Sequence, residues 1–477
     1  MSIILTFLMA YWLTMLNWTI RIGALAIVPF RRSAAAARTW LLIFFIAPIP
    51  ALVVYLFIGR PEHSAKRQKL FGKLPDVLRR AVENAEISND RGLPKLSDDI
   101  QPASRLAEAL SGLPPLSGNA MELLSDYDDM VDQLVADIDA AVDHVHLEFY
   151  IFADDEVGGK VMEALERAVG RGIKCRLLID ALGSISSSRK VQKRMRRAGV
   201  DVHRILPLMQ RSRSSRIDLR NHRKIAVIDG RIGYTGSQNV VEARISSDLS
   251  NRELMARVRG PAVAALQAVF LGDWFLETQE EIGNASAFAF EEDAGDILMQ
   301  ALPSGPDYPS GGVDLFFAKI IHDAREEVVI VTPYFIPNEA LVAAIRTAAM
   351  RGVSVKLIMS KKSDSRLVKL AQHSYYQRLL EAGVDIRLFD ADFLHAKHMR
   401  VDDEIVVIGS SNMDQRSFEL NAEVSLICYG AKAAGEIKQI EEGYAKNATS
   451  VGKEAWTGRW LPVKLCENMA RMLSDLL

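Results

Sequence analysis

The sequence predicts a mixed α/β protein made of two related halves behind an N-terminal transmembrane helical hairpin. Three observations carry this. Residues 3–58 hold two long apolar runs, a strand–helix–strand phrase occurs twice, and a six-position frame recurs with every internal offset kept.

Taking the chain in order, residues 3–20 are almost wholly apolar, with Trp12, Asn17 and Trp18 the most polar or interfacial members. Arg21 interrupts, residues 22–30 continue, and Arg31 and Arg32 follow. Residues 39–58, TWLLIFFIAPIPALVVYLFI, form a second run without a charge. About 20 apolar residues rising 1.5 Å each cross a ~30 Å hydrocarbon layer, so 1–60 are expected to be two transmembrane helices. Pro48 and Pro50 predict a kink in the second. A cleaved signal peptide is the rival, with small residues at 33–38; but no Lys or Arg precedes the first run and a second follows at once. A hairpin sets the N-terminus and the catalytic body on one side of the membrane. Arg60, Lys66, Arg67, Lys69 and Lys73 outnumber Arg31, Arg32 and Arg38, which points that side to the cytoplasm. The expectation is a multi-pass protein of a bacterial inner membrane with cytoplasmic catalytic domains.

Residues 61–119 are charged and broken by Pro75, Pro94, Pro102, Pro114 and Pro115, and read as a juxtamembrane and linker segment. The two catalytic domains are expected at 120–290 and 291–477, with their joint near 284–312, where Ser, Ala, Gly and Pro collect. In the first, 144–152 alternates as a strand, Val161, Met162, Leu165, Ala168 and Val169 mark a helix face, Arg171-Gly172 ends the helix, and 174–180 returns as a strand. The second repeats the phrase: strand 328–334, helix face Leu341, Val342, Ile345, Ala348 and Ala349, stop at Arg351-Gly352, strand 355–360. The duplication therefore spans whole β-α-β units. Residues 460–477 form an amphipathic helix with Leu465, Met469, Met472, Leu473 and Leu476 on one side, packing on the body or lying on the membrane.

The recurring frame is His222, Lys224, Asp229, Gly236, Ser237 and Asn239, echoed as His395, Lys397, Asp402, Gly409, Ser410 and Asn412. Each His-x-Lys opens an apolar strand, so His222 shares a face with Lys224, and His395 with Lys397. Asp229-Gly230 and Asp402-Asp403 supply turn chemistry, and β-rich runs at 232–235 and 405–408 complete two hairpins ending in Gly-Ser-x-Asn loops. Asp229 and Asp402 belong to the repeated catalytic set, but their odd spacing from the histidines reads them as braces at the turns. Downstream of each hairpin lies Asn-x-Glu: Asn251/Glu253 and Asn421/Glu423.

Two imidazoles, two ammonium groups and two Ser/Asn loops suit a phosphodiester. The lysines neutralise phosphoryl oxygens; Ser237, Asn239, Ser410 and Asn412 donate hydrogen bonds to them. One imidazole attacks phosphorus and the other protonates the departing oxygen, tasks that suit a group with pKa about 6.5. Glu253 and Glu423 accept the other ring N–H of the histidines and fix the tautomers. The lysines provide the fixed positive charge, so neither metal nor cofactor is expected.

The doubled pattern HxK(x)4D(x)6GSxN resembles the phospholipase D superfamily. The resemblance implies two phospholipase D-like α/β sandwich domains forming one active site, and a phosphohistidine intermediate. The N-terminal apolar runs, the Arg31-Arg32 loop, the SGPD segment and the closing ARMLSDLL resemble, more narrowly, bacterial cardiolipin synthases of that type. That likeness implies phosphatidyl transfer between two phosphatidylglycerol molecules with release of glycerol. His222 is cast as nucleophile and His395 as acid and then base, the reverse assignment staying open. The rivals are a hydrolytic phospholipase D or other phosphatidyltransferase, a membrane-tethered nuclease, and a lipid-binding scaffold.

Anionic membrane lipids are the expected partners, and the sequence sets no oligomeric state, homo-oligomers included. A net charge of −2 gives no global basic field for nucleic acid. A basic stretch at 209–220, with Arg211, Arg213, Arg216 and Arg220, suits an anionic surface beside the site. Three scattered cysteines, Cys175, Cys428 and Cys466, fit a reducing compartment. His144-x-His146 lacks a third ligand and reads as a strand pair, and Tyr334-Phe335 reads as core.

Overall fold

The computed structural model describes residues 2–32, 34–59, 65–74, 96–207, 216, 218–246, 249–282, 288–291, 293–306, 308 and 312–472. Its catalytic body is built on one long strand path that reads alike from the middle outward. On one side run Leu116–Leu124, Met255–Arg259, Ile232–Gly236, Lys224–Ile228, His144–Phe149, Lys174–Asp180 and Asp201–Ile205. On the other run Ile297–Ser304, Asn421–Tyr429, Ile405–Gly409, His398–Val401, Glu327–Val331, Ser354–Ser360 and Asp385–Phe389. The sides join where Leu116 pairs with Met299 and Asn119 with Ile297. Each motif hairpin thus occupies the same place in its half, beside the strand that opens the β-α-β phrase.

The hairpins form because their turns tolerate left-handed backbone. Asp229 (φ 53°) and Gly230 (φ 64°) both adopt it, as does Asp402 (φ 51°). The Asp229 carboxylate accepts the backbone N–H groups of Val142, Asp143 and His144 at 2.7–2.9 Å. Asp402 accepts those of Arg325, Glu326 and Glu327 at 2.8–3.0 Å. Seven residues of strand, about 20 Å, separate each aspartate from its histidine. Their place among the catalytic residues is therefore corrected: both brace the far end of a hairpin.

The halves are stitched at the opposite end. Arg220 and Asn221 pair in parallel with Asn421 and Ala422, and His222 N–H donates to Ala422 O at 2.8 Å. Phe393 and Leu394 pair likewise with Asn251 and Arg252, and His395 N–H donates to Arg252 O at 2.8 Å. Beneath, Ile225, Val227, Ile408, Val424 and Leu426 share a core with the helix Ala262–Thr278, which is buried on nearly every face.

Two expectations change. The second apolar run is not one helix: it forms Ala34–Ile46 and Pro48–Ile58, broken at Ala47. Trp40 and Tyr55, about 22 Å apart along a straight helix, meet edge to face with ring centroids 4.9 Å apart, so the second segment folds back on the first. Pro48 and Pro50 bring no N–H to the ladder, and Arg21, from the long helix Ser2–Arg31, donates to Phe45 O at 2.9 Å beside the break. Within the expected linker, the helix Gln101–Ser111 buries Ala103, Ala107 and Leu110 in the core of the second half. The C-terminal helix, described over Leu461–Arg471, packs on Arg366–Ala382 yet leaves Leu461, Leu465 and Met469 exposed. Leu473 and Leu476 lie outside the described residues. Thr39 Oγ1 donates to Met472 O at 3.1 Å, linking this helix to the N-terminal unit.

Candidate active site

Both imidazoles line one cavity of about 490 Å³, with Tyr150, Arg220, Asn239, Asn251, Tyr334, Asp364, Asn412, Asp414, Arg416 and Asn421 around them. Each histidine opens its hairpin with a neighbour two residues on: Lys224 Nζ donates to His222 O, and Lys397 Nζ to His395 O, both at 2.6 Å.

The glutamates are crossed between halves. His222 Nδ1 lies 2.9 and 3.0 Å from the two carboxylate oxygens of Glu423, and His395 Nδ1 lies 2.6 Å from Glu253 Oε1. Each carboxylate fixes Nδ1 as the N–H partner and leaves Nε2 for chemistry. Glu423 is held further by Ser417 Oγ, donating at 2.9 Å, and its backbone carbonyl takes Arg223 Nε at 2.9 Å. Arg223 is buried and salt-bridged to Asp273. The second copy has Ala396 where the first has Arg223. Sequence reading passed over that difference, although it is visible in an alignment of the two frames.

Burial sets the protonation of these groups. It drives His222 down to about 4, with Glu423 opposing and Lys224 assisting. His395 is lowered for the same reason, against Glu253. Lys224 falls to about 7 and Lys397 to about 8, burial again leading. For Glu253 and Glu423 burial pushes upward, but the facing histidine and lysine outweigh it and keep both carboxyls below their ordinary value. The result is a site with neutral imidazoles, ionised carboxylates and lysines poised to gain full charge beside an anion.

Ser237 and Ser410 are not at the cavity wall. Their hydroxyls are fully buried and receive the N–H groups of Leu254 and Val424, at 2.9 and 3.0 Å, in the strands leading from the glutamates. The expectation that they donate to substrate is corrected: they hold the strands that carry Glu253 and Glu423. Asn239 and Asn412 do line the cavity. So does Tyr334, read from sequence as core, whereas Phe335 is core. Tyr150 stands edge-on to His222 at 4.8 Å, and Phe393 stacks on His395 at 5.8 Å. His144 and His146 are strand residues: His144 Nδ1 meets Asp143 at 2.9 Å, and His146 stacks on Phe270. Of the basic stretch, residues 208–215 and 217 lie outside the described residues, Arg216 is buried against Asp218, and Arg220 reaches the cavity.

A family model described as cardiolipin synthase, PLD-like domain, matches residues 134–274 and 317–443, one stretch in each half. The chain belongs to that family. Cardiolipin synthase A of Yersinia pseudotuberculosis is 33% identical over 98% of this chain and 97% of its own length. Its counterpart in Erwinia tasmaniensis is 32% identical over 100% of this chain and 99% of its own. A phosphatidylserine synthase structure from Haemophilus influenzae superposes with a TM-score of 0.60 at 16% identity, covering 78% of this chain and 98% of that one, and shows the shared fold. The helix Ser2–Arg31 is long and apolar enough to cross a bilayer, and with these relatives it marks the chain as a membrane protein.

Proposed function

We propose that the chain is a cardiolipin synthase, transferring the phosphatidyl group of one phosphatidylglycerol to the free glycerol hydroxyl of another. The observation that carries this is the pair of crossed His–Glu contacts facing one cavity, in a chain that aligns end to end with cardiolipin synthases. His222 Nε2 attacks phosphorus, and the P–O bond to glycerol breaks as His395, which takes up a proton when the anionic phosphate binds, gives its Nε2 proton to the departing oxygen. Lys224 and Lys397 offset charge on the phosphoryl oxygens, with the Asn239 and Asn412 amides beside them. His395 then removes the proton of the acceptor hydroxyl as its oxygen attacks and the P–N bond breaks. One diester replaces another, so the exchange needs no nucleotide. Casting His222 as nucleophile is supported by the further hold on its carboxylate partner, Glu423, through Ser417 and Arg223.

The fold-back supports a reading in which the first helix alone crosses the membrane. Thirty residues of Ser2–Arg31 extend about 45 Å, enough for one crossing of ~30 Å. The 13- and 11-residue helices that follow are each too short, about 20 and 16 Å, and together dip in and return. Arg31, Arg32, Arg38, Arg67, Lys69 and Lys73 then gather on one face, which the charge bias of loops assigns to the cytoplasm along with the catalytic body. The start of the first helix lies opposite.

The test is to incubate the purified full-length chain with phosphatidylglycerol vesicles in ¹⁸O-water and assay lipids and glycerol. Cardiolipin and glycerol in equal amounts are expected. Phosphatidate carrying ¹⁸O as the main product overturns the transferase reading.

A further inference from the structure

The near-symmetry of the two motifs breaks at the cavity wall. Two residues before His222 stands Arg220; two residues before His395 stands Phe393. Both line the cavity, and each sits in the parallel pair that stitches its half to the other, Arg220 beside Asn421 and Phe393 beside Asn251. Arg416, on the short helix Gln415–Glu419, lines the same wall as Arg220 from the other half. Its Nη2 donates to Asp218 O at 2.8 Å and its Nη1 lies 3.3 Å from Asp218 Oδ2. Asp218 also receives Arg216, whose Nη2 is 2.8 Å from Oδ2.

Asp218 therefore serves Arg416 and the Arg216 behind it, Asp180 faces Arg220, and Asp414 lines the cavity near Arg416. Burial and the neighbouring Arg416 both pull the Arg220 guanidinium below its ordinary range, with Asp180 pulling the other way. The opposite end of the cavity is of another character: Phe393, and Tyr334 donating to Asp364 at 2.6 Å. The lysines serve the first phosphate, beneath the imidazoles, each also bonded to the carbonyl of its own histidine, His222 or His395. Crowded guanidinium groups at a half-open wall are relieved by a bidentate oxyanion between them.

We propose that Arg220 and Arg416 form a second phosphate subsite, which takes the non-reacting phosphodiester of the acceptor lipid while the first phosphate is bound at the histidines. The proposal rests on the phosphatidyltransferase reading above. It explains how a pocket with two similar motifs treats its two lipids differently: the arginine end selects an acceptor alcohol that is itself an anion. In the transfer step the acceptor oxygen bonds to phosphorus, the P–N bond to histidine breaks, and the hydroxyl proton passes to the other imidazole. The acceptor's own phosphate stays intact on the arginines.

The test supplies phosphatidylglycerol vesicles as donor and two soluble acceptors at equal concentration, labelled glycerol and glycerol 3-phosphate. The ratio of phosphatidylglycerophosphate to labelled phosphatidylglycerol is read for the wild-type chain, R220Q, R416Q, R220K and R416K. The wild type is expected to favour the anionic acceptor, each glutamine variant to lower the ratio at least tenfold, and the lysine variants to keep it within threefold. A glutamine ratio within twofold of wild type overturns the subsite, whether both products fall together or neither does. If a glutamine variant makes neither product, its lysine variant must still turn over with the wild-type preference; an inactive lysine variant also overturns it. Loss of sedimentation with anionic vesicles in proportion to the loss of transfer assigns the arginines to bulk headgroups instead, against the proposal. A wild-type chain that labels phosphatidylglycerol yet makes no cardiolipin sinks the functional reading and leaves this comparison intact.

Discussion

Glu423 lies 201 positions downstream of His222 and holds its Nδ1 at 2.9 Å, while Glu253 in the first half holds His395 in the second. The exchange of partners means that a carboxylate and the histidine it serves lose function together. Glu423→Gln should lower kcat by about 10²-fold or more, in line with losing a positioned acid or base, and add little to His222→Ala. Paired with His395→Ala the same change should reduce residual turnover further. A double-mutant cycle on cardiolipin formation checks this, and the opposite pattern of coupling would mean each glutamate serves its own half.

The protonation of the site gives a pH prediction. The folded chain holds His222 near 4, whereas the unfolded imidazole titrates near 6.5. Between those values the unfolded chain binds more protons, so the contribution to stability is full above about 6.5 and is lost as pH falls toward 4. Lys224, lowered to about 7, behaves similarly between about 10.4 and 7, its contribution declining as pH falls and flat below. Inorganic phosphate, which favours charged lysine, should therefore raise Tm more at pH 6.5 than at pH 9. Melting curves with and without phosphate at the two pH values measure it, and an equal shift at both would contradict a titrating Lys224.

Asp229→Asn and Asp402→Asn test the brace role. Each carboxylate accepts three backbone N–H groups, and each charge-assisted bond is worth roughly 1.5–3 kcal/mol to the fold. Both variants should melt several degrees lower, while kcat of the protein that remains folded changes by less than about threefold. A loss of 10²-fold in kcat at unchanged Tm would return them to the chemistry.

Membrane topology is checked with cysteine labelling. Cys466 is exposed on the C-terminal helix, and Cys175 and Cys428 are buried. In sealed inner-membrane vesicles of known orientation, a membrane-impermeant maleimide should reach Cys466 from the cytoplasmic face. Ser2→Cys should react only from the other face. Labelling of both from one face would restore the two-span hairpin.

Much of this was legible in the sequence because repetition supplied the comparison that a single frame lacks. The offsets shared by His222–Asn239 and His395–Asn412 gave the hairpins, the paired lysines and the brace aspartates at their turns. The crossing of the glutamates was not legible, since Asn-x-Glu recurs without stating which half it faces. The serines misled because a hydroxyl next to a loop asparagine reads as a donor, and only coordinates reveal that Leu254 and Val424 already engage it. Helix Ala262–Thr278 escaped notice for a related reason: buried on nearly every face, it has no amphipathic stripe. The second apolar run reads as one helix because hydropathy counts residues and does not see the fold-back that Trp40 and Tyr55 lock.

The swapped carboxylates also bear on how the protein comes into being. A growing polypeptide that has emerged through its first histidine still lacks the acid residue that will orient it, and the imidazole that will share its proton. A fragment that stops before Glu423 therefore carries a His222 without the carboxylate that orients it.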